Sequence, residues 1–342
     1  MMIDLRSDTI TVPTPEMRRA MSAAEVGDDV YGEDPTVNRL QELAAEMLGK
    51  EDALLVVSGT MGNQVSLLTH CRPGTEVIVE QDCHIFYYEA GAASALGGVQ
   101  LRALPGRRGA LTAEQVEAAI RADDIHQPPT ALICLENTHN RAGGAVIPLA
   151  AMQSVYALAV RHGLPLHLDG ARIFNAAIAL GVAAKEIAAC ATTVQFCLSK
   201  GLGAPIGSLI AGPRDWIAAA RRWRKRLGGG MRQAGVIAAA GIVALETMVD
   251  RLAEDHANAR FLAEGLAALP GLELDPAAVE TNIVIFKTTA LSAPALVEAL
   301  RRRGLLCVAM DADRVRFTTH KDVSRADMEK ALAIVKDALR QA

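Results

Sequence analysis

The sequence is poor in aromatic residues, which make up only 4% of it, and it lacks long apolar runs. No run reaches the roughly 18 apolar residues that a membrane-spanning helix needs. Residues 1–8 include two acids and no apolar stretch, so we expect no secretory signal peptide there. The net charge of −4 is not the basic excess that a nucleic-acid-binding surface requires. These absences predict a cytoplasmic protein that binds neither a membrane nor nucleic acid.

Paired cysteine motifs are also missing. None of the six cysteines belongs to a CxxC pair. In a long intracellular chain, such isolated cysteines are typical of small buried apolar residues. No set of metal ligands can be read from the sequence, and we assign none. Binding of a cation near the N-terminal threonines and the segment around residue 200 is left as an open alternative.

Short apolar strands alternate with helices over the first 250 residues. The strand candidates are residues 53–57, 76–79, 99–104, 131–135, 164–168 and 206–211. The helix candidates are residues 35–48, 60–70, 112–121 and 148–162, with Gly49 as a C-cap and a capping box from Thr112 to Gln115. This alternation predicts βαβ units and a mostly parallel sheet.

The pattern changes near residue 250. A charged helix over residues 248–268 precedes a second series of elements. These are a strand at 282–286, a helix at 293–303, a strand at 315–318 and a helix at 325–341. A chain of 342 residues exceeds what one compact core usually holds. We therefore expect an N-terminal arm and large domain over residues 1–248, and a small α/β domain over residues 249–342.

A lysine and an aspartate follow two of the apolar runs. Lys200 lies just after residues 194–198, and Asp169 ends residues 166–169. A lysine can form a Schiff base with pyridoxal phosphate, and a carboxylate can keep the pyridine nitrogen protonated. Each residue alone has a plainer explanation: a surface lysine in a glycine turn, and an aspartate that caps a helix. Their occurrence together at strand ends favours a cofactor site.

Three further segments carry groups that suit such a site. Residues 58–63 form a strand-to-helix turn whose N–H groups suit a phosphate, although a plain capped turn has the same pattern. His84, just past a strand, could stack on a flat cofactor or act as an acid–base group, and a half-buried structural histidine is the alternative. Residues 228–233 place three glycines after a basic run, which indicates a close approach to a ligand or a partner.

In this order and spacing, the motifs resemble the low-specificity L-threonine aldolases. The matching segments are residues 4–9, 27–32, 58–60, 136–140, 169–172, 198–203 and 228–233. Those enzymes use pyridoxal phosphate, have the aspartate-aminotransferase-like fold (fold type I) and are close to the β-eliminating lyases. The resemblance covers essentially the whole chain. It implies a large domain with a mostly parallel sheet flanked by helices, a smaller C-terminal α/β domain, and pyridoxal phosphate as the cofactor.

The resemblance also implies how the cofactor is held. Lys200 would form the Schiff base, Asp169 would hold the pyridine nitrogen, and His84 would stack on the ring. Gly59 and Thr60 would bind the phosphate. Two basic residues, Lys225 and Arg232, would reach the phosphate in the neighbouring subunit.

The same resemblance implies a set of substrate contacts. Arg172 would hold the O3′ side of the cofactor and approach the substrate carboxylate. Ser7 and Arg316 would complete this carboxylate clamp, with Arg314, on the same strand face, as the competitor of Arg316. Two residues would lie near the substrate side chain: Tyr31, from a partner subunit, and His126.

The implied reaction is the reversible cleavage of L-threonine and L-allo-threonine, and of β-aryl analogues such as phenylserine, to glycine and an aldehyde. The carboxylate clamp would select the bond that breaks, because it sets which bond at Cα stands perpendicular to the ring. The base for the β-hydroxyl is either His84 or a water held by His84 and His126. The implied assembly is a homotetramer, a dimer of dimers with shared active sites. A β-eliminating lyase or an aminotransferase on the same fold is the alternative.

Overall fold

The computed structural model describes residues 2–340. The strands are β1 (Ile3–Asp4), β2 (Asp52–Val56), β3 (Glu76–Glu80), β4 (Gln100–Leu104), β5 (Thr130–Glu136), β6 (Leu166–Asp169), β7 (Thr193–Cys197), β8 (Ser208–Gly212), β9 (Leu272–Glu273), β10 (Ile283–Thr288), β11 (Leu305–Leu306), β12 (Val308–Ala309) and β13 (Arg314–Thr318). The helices are α1 (Pro15–Ser22), α2 (Pro35–Leu48), α3 (Gly59–His70), α4 (His84–Tyr87), α5 (Ala92–Gly97), α6 (Ala113–Ala119), α7 (Leu149–Arg161), α8 (Ile173–Leu180), α9 (Ala184–Ala188), α10 (Arg214–Arg226), α11 (Gly235–Thr247), α12 (Leu252–Ala267), α13 (Ala293–Arg302) and α14 (Arg325–Arg340).

Seven strands form the central sheet in the order β2-β8-β7-β6-β5-β3-β4. Strands β4, β3, β5, β6 and β7 are parallel, and β8 runs antiparallel to both of its neighbours. The expectation of a mostly parallel sheet is confirmed. Strands β6 to β8 are buried along their whole length because helices cover both faces, so their polar residues, such as His167 and Gln195, are buried as well.

The carboxyl ends of β5, β6 and β7 meet at one edge of this sheet. Glu136 is paired with Asp169, and Asp169 with Gln195, so three polar residues stand side by side there. Because β8 returns antiparallel to β7, the connection over residues 198–207 turns at the same edge. This connection carries Lys200. Ligands of open α/β sheets bind at such carboxyl edges.

The C-terminal part has a sheet and an apolar core of its own. Its four antiparallel strands have the order β12-β13-β10-β9. Its core includes Ile3 and Leu5 from the N-terminal arm together with residues between 259 and 338. The arm reaches this core through β1, which pairs with β11, and through Leu5, whose carbonyl accepts the Thr318 N–H. We propose that the chain divides near residue 248, with the arm packed on the smaller part.

The predicted helix signals have the expected geometry. Asp34 caps α2, Gly49 ends it with a positive φ of 60°, and Thr112 and Gln115 form the capping box of α6. The helix expected over residues 248–268 begins only at Leu252, and Gln341 of the last expected helix lies outside the described residues. Among the residues described, no helix is long and apolar enough to cross a bilayer.

Candidate active site

A narrow cavity opens at the carboxyl edge of the central sheet. It is lined by five residues predicted from the sequence to form the site: Gly59, His84, Asp169, Arg172 and Lys200. A wider cavity of about 430 Å³ shares His84, Arg172 and Lys200 with it and adds Ser7 and Arg316. The structure thus brings together, within one chain, most of the predicted cofactor and substrate residues. The Lys200 carbonyl also accepts a hydrogen bond from Thr11, which ties the lysine loop to the N-terminal arm.

The first turn of α3 lies close against the end of β7. Ser58 caps this helix by accepting the Met61 N–H at 3.1 Å. A Cβ on Gly59 would lie 2.9 Å from Cys197 Sγ and 2.9 Å from Gln195 Nε2, so only glycine fits there without a shift. Thr60 follows in the same turn. The free N–H groups of this helix start can therefore face an anion at the edge of the cavity.

Arg172 is held by a carboxylate whose role the sequence did not reveal. Its Nε and Nη2 each donate to Asp8 at 2.7 Å, which forms a buried, two-pronged ion pair. Burial alone would raise the pKa of Asp8 and lower the pKa of Arg172, but their mutual attraction outweighs it in both. Both groups therefore stay charged. The remaining nitrogen, Nη1, is left for a ligand of the cavity.

Arg316 and Arg314 occupy different environments on β13. Arg316 lines the wide cavity, where Nη1 donates to Asn140 Oδ1 at 3.3 Å and Nη2 to the Arg6 carbonyl at 3.2 Å. Its buried Nε has no partner among the described residues. Burial, then the charge of Arg172, lowers the pKa of Arg316, so the cavity favours an anion. Arg314 instead pairs with Asp311 at the surface.

Among the residues that the structure describes, Asp169 accepts hydrogen bonds only from neutral donors. Its Oδ2 receives the Asn63 side-chain amide at 2.7 Å, and its Oδ1 receives the Ala171 N–H at 3.1 Å. The neighbouring Glu136 accepts the backbone N–H groups of His84 and Asn140 at 2.6 and 2.8 Å. Glu136 thereby fixes the start of the short helix α4, from which the His84 ring reaches the cavity.

Thr60, in the first turn of α3, lines neither cavity, and four further predicted site residues lie away from both cavities in the single chain. His126 is on the exposed loop before β5, at the amino end of that strand and therefore at the opposite edge of the sheet. Tyr31 is 76% exposed. Lys225 is in the last turn of α10, and Arg232 pairs with Asp28 at 3.0 Å. A second copy of the chain would have to bring these residues to the site.

Sequence reasoning missed several residues that surround the cavity: Asp8, Asn63, Glu89, Glu136, Asn140 and Arg141. Asp8, Glu136 and Asn140 stand in segments that were recognised as motifs but given no role. Asn63 is four residues after Gly59 and therefore lies one helical turn further along α3. Glu89, five residues after His84, gave no signal, because its contacts with Asn63 and Gln64 of α3 form only in the folded chain.

Comparison with known proteins identifies relatives along nearly the whole chain. The β-eliminating lyase family matches residues 4–289. The chain is 47% identical over 333 residues to the low-specificity L-threonine aldolase of Escherichia coli (strain K12), covering 97% of this chain and 98% of the relative. It is 46% identical over 344 residues to low-specificity L-threonine aldolase 1 of Arabidopsis thaliana, covering 98% and 96%.

Solved structures share the fold at lower identity. The threonine aldolase of Leishmania major superposes with a TM-score of 0.83 at 22% identity, covering 98% of this chain and 99% of that one. A serine palmitoyltransferase of Sphingomonas wittichii gives a TM-score of 0.79 at 18% identity, covering 99% and 88%. The fold expected from the resemblance, fold type I, is thereby confirmed.

The Asp8–Arg172 pair yields a stability prediction. Asp8→Asn leaves the buried Arg172 charge unpaired, so we expect the free energy of unfolding to fall by about 3 to 5 kcal/mol. Urea titration followed by circular dichroism measures this. Asp311→Asn, which breaks the exposed pair with Arg314, is the matched control and should change the midpoint little. Equal shifts in the two variants would contradict the assignment.

Proposed function

The chain belongs to the β-eliminating lyase family and, within it, to the low-specificity L-threonine aldolases, and on this premise we propose that it cleaves L-threonine and L-allo-threonine to glycine and acetaldehyde. Phenylserine and related β-hydroxy-α-amino acids would be further substrates. The observation that carries the proposal is the convergence of Lys200, Asp169 and Arg172 on one cavity, with Arg316 in the wider cavity that adjoins it.

The residues around the narrow cavity fit pyridoxal phosphate. Lys200 offers an amine, Asp169 a carboxylate bonded only to neutral donors, and the start of α3 a set of N–H groups beside Gly59. When bound, pyridoxal phosphate supplies an electron sink for the bond that breaks at Cα. Asp169 would keep a proton on the ring nitrogen, because a buried carboxylate without a cationic partner stabilises a nearby positive charge.

The substrate carboxylate would lie between the two arginines. Arg172 is rigid because Asp8 holds two of its three nitrogens, and Arg316 Nε has no partner within residues 2–340. A carboxylate fixed there sets which bond at Cα is aligned for cleavage. The proton of the β-hydroxyl would pass to His84 or to a water beside it. His126 could assist only from another copy of the chain.

We also propose a homotetramer built from dimers with shared active sites. What supports it is that Tyr31, Lys225, Arg232 and His126 all lie outside the cavity of their own chain. The six unpaired cysteines are compatible with a reducing compartment, and we place the enzyme in the cytoplasm.

The lysine assignment is tested by Lys200→Ala. We expect the variant to lose both the visible absorption band of lysine-bound cofactor and the release of glycine and acetaldehyde from L-threonine. Lys321→Ala, in a segment that packs beside Gly203 of the same loop, is the matched control and should keep both. Full cleavage by Lys200→Ala would refute the proposal. Release of ammonia and a keto acid by the native enzyme, in place of glycine, would favour a β-eliminating lyase.

The carboxylate clamp is tested by comparing two arginines on one strand. Arg316→Met removes a charged hydrogen-bond donor from the cavity, so kcat/KM for L-threonine should fall about 10- to 100-fold, largely through KM. Arg314→Met should leave both constants near native values, because its partner is the surface residue Asp311. A larger loss of kcat/KM in Arg314→Met than in Arg316→Met would instead identify Arg314 as the clamp residue.

Sharing of active sites is tested by co-expressing two inactive variants. Lys200→Ala and Lys225→Ala should each lose activity alone. If Lys225 serves the site of a neighbouring subunit, each mixed dimer contains one intact site, and random assembly restores about a quarter of the native sites. Steady-state assays of the purified mixture measure this. No recovery beyond the separate variants would place Lys225 in its own subunit's site.

A further inference from the structure

Glu89 is a buried carboxylate at the back of the cavity that the proposed reaction has not used. Its side chain is completely shielded from solvent. Oε1 accepts hydrogen bonds from His84 Nδ1 at 2.9 Å and from the Asn63 amide at 2.7 Å, and Oε2 accepts from Gln64 at 2.6 Å. A buried charge with this many donors is held in one position.

Asn63 joins Glu89 to Asp169. Its amide nitrogen lies 2.7 Å from Glu89 Oε1 and 2.7 Å from Asp169 Oδ2, and since carboxylates only accept, both N–H groups must point at them. One side-chain amide therefore bridges the carboxylate that would hold the ring nitrogen and the carboxylate that holds His84. The positions of Asp169 and Glu89 are therefore coupled through Asn63.

A second chain of hydrogen bonds fixes the orientation of Asn63. Its Oδ1 faces His167 Nε2 at 3.2 Å, and His167 Nδ1 faces Thr193 Oγ1 at 3.0 Å. Burial lowers the pKa of His167 to about 4, so its ring is neutral and carries one proton, which must be on Nε2. The Thr193 hydroxyl then donates to His167 and accepts from His70 Nε2 at 2.9 Å. The amide cannot flip without breaking this series.

The same arrangement determines which nitrogen of His84 can act. Nδ1 must carry a proton because it faces the Glu89 carboxylate, so Nε2 is the nitrogen left for the cavity, and no described residue bonds it. Charged groups that act on the ring are Glu89 from the segment after α4, Asp169 from β6 and Lys200 from the loop after β7, while Glu136 from β5 accepts the His84 backbone N–H. Glu89 and Asp169 favour protonation of the ring, whereas burial and the charge of Lys200 oppose it.

We propose that Glu89 is a positioning residue that acts through His84. It holds the Nδ1 proton, presents Nε2 to the substrate side of the cavity and makes Nε2 a stronger base, while Asn63 couples this pair to Asp169. The inference rests on the proposed function, because it assigns the proton-handling atom of that site. The pKa of His84 agrees with it: burial would lower this pKa, but the bond to Glu89, and then the charge of Asp169, raise it above the usual value.

A metal site is the alternative use of this cluster. Ligand atoms of His84, Glu89 and Asp169 lie within 4.8 Å of one another. The Asn63 amide, however, donates to both carboxylates, so its two hydrogens occupy the space between them where a cation would have to lie. Because a donor N–H repels a cation, the cluster suits an imidazole and a protonated ring nitrogen better than a metal ion.

The test measures the protonation of His84 without relying on turnover. Diethyl pyrocarbonate acylates neutral imidazole, so the labelling rate of the His84 peptide, followed by mass spectrometry against pH, gives the midpoint of its titration. In the holoenzyme we expect this midpoint above the usual value of about 6.5. In Glu89→Gln the lost carboxylate no longer favours the protonated ring, so the midpoint should move down by about one pH unit.

The matched control is Glu80→Gln. Glu80, at the end of β3, and His139, beyond β5, form another buried pair at 2.9 Å, and neither residue lines the two cavities described above. This variant should leave the His84 midpoint in place. Glu89→Asp, which keeps the charge, should bring the His84 midpoint part of the way back to its native value. The acid limb of kcat/KM against pH should move with the labelling midpoint in each variant.

An unchanged His84 midpoint in Glu89→Gln would overturn the proposal. So would a native midpoint at or below about 6.5, and this second result needs no variant and holds even if Glu89→Gln does not fold. The labelling midpoint does not depend on which amino acid is cleaved. A failure of the proposed reaction would appear in the products, whereas a failure of the Glu89 role would appear in the midpoint.

Discussion

The buried ion pair between Asp8 and Arg172 is the contact on which the geometry of the site depends. Asp8 comes from the N-terminal arm, Arg172 from the carboxyl edge of the central sheet, and Asn282, which also donates to Asp8 at 3.2 Å, from the C-terminal part. Three distant segments therefore meet on one carboxylate. Two nitrogens of the Arg172 guanidinium, Nε and Nη2, are bonded to Asp8. The position of the third nitrogen, Nη1, is therefore fixed by this contact.

Charge balance around the cavity distinguishes Asp169 from Asp8 and Glu89. Asp8 is neutralised by Arg172, and Glu89 is bonded to His84. Within residues 2–340, Asp169 receives only an amide and a backbone N–H, so its charge has no cationic hydrogen-bond partner there. Burying such a group is costly unless a ligand completes it. The Asp169 carboxylate would therefore stabilise the protonated ring nitrogen of a bound cofactor.

Local sequence patterns predicted the strand ends and their chemistry, because an apolar run that stops at a polar residue is a property of neighbouring residues. Lys200 and Asp169 were identifiable in this way. The partners that define the site were not, because they are distant in the chain: Asp8 and Arg172 are 164 residues apart, and Asn63 and Asp169 are 106 apart. The residues of such pairs come into contact only when the strands have assembled in the order of the sheet. The reversed strand β8, which returns the Lys200 loop to the carboxyl edge, had no local signal either.

Two loops that carry predicted partner-site residues are joined on the surface of each chain. Buried Arg224 donates to Asp29 at 2.7 Å, and Arg232 pairs with Asp28 at 3.0 Å. Residues 27–32 are therefore tied to α10 through Arg224 and to residues 228–233 through Arg232, although about 200 residues separate these segments. On the proposed assembly, Tyr31 and Lys225 would reach the neighbouring cavity with a fixed spacing. The ion pairs that tie these segments together would then act on the neighbouring site without touching its ligand.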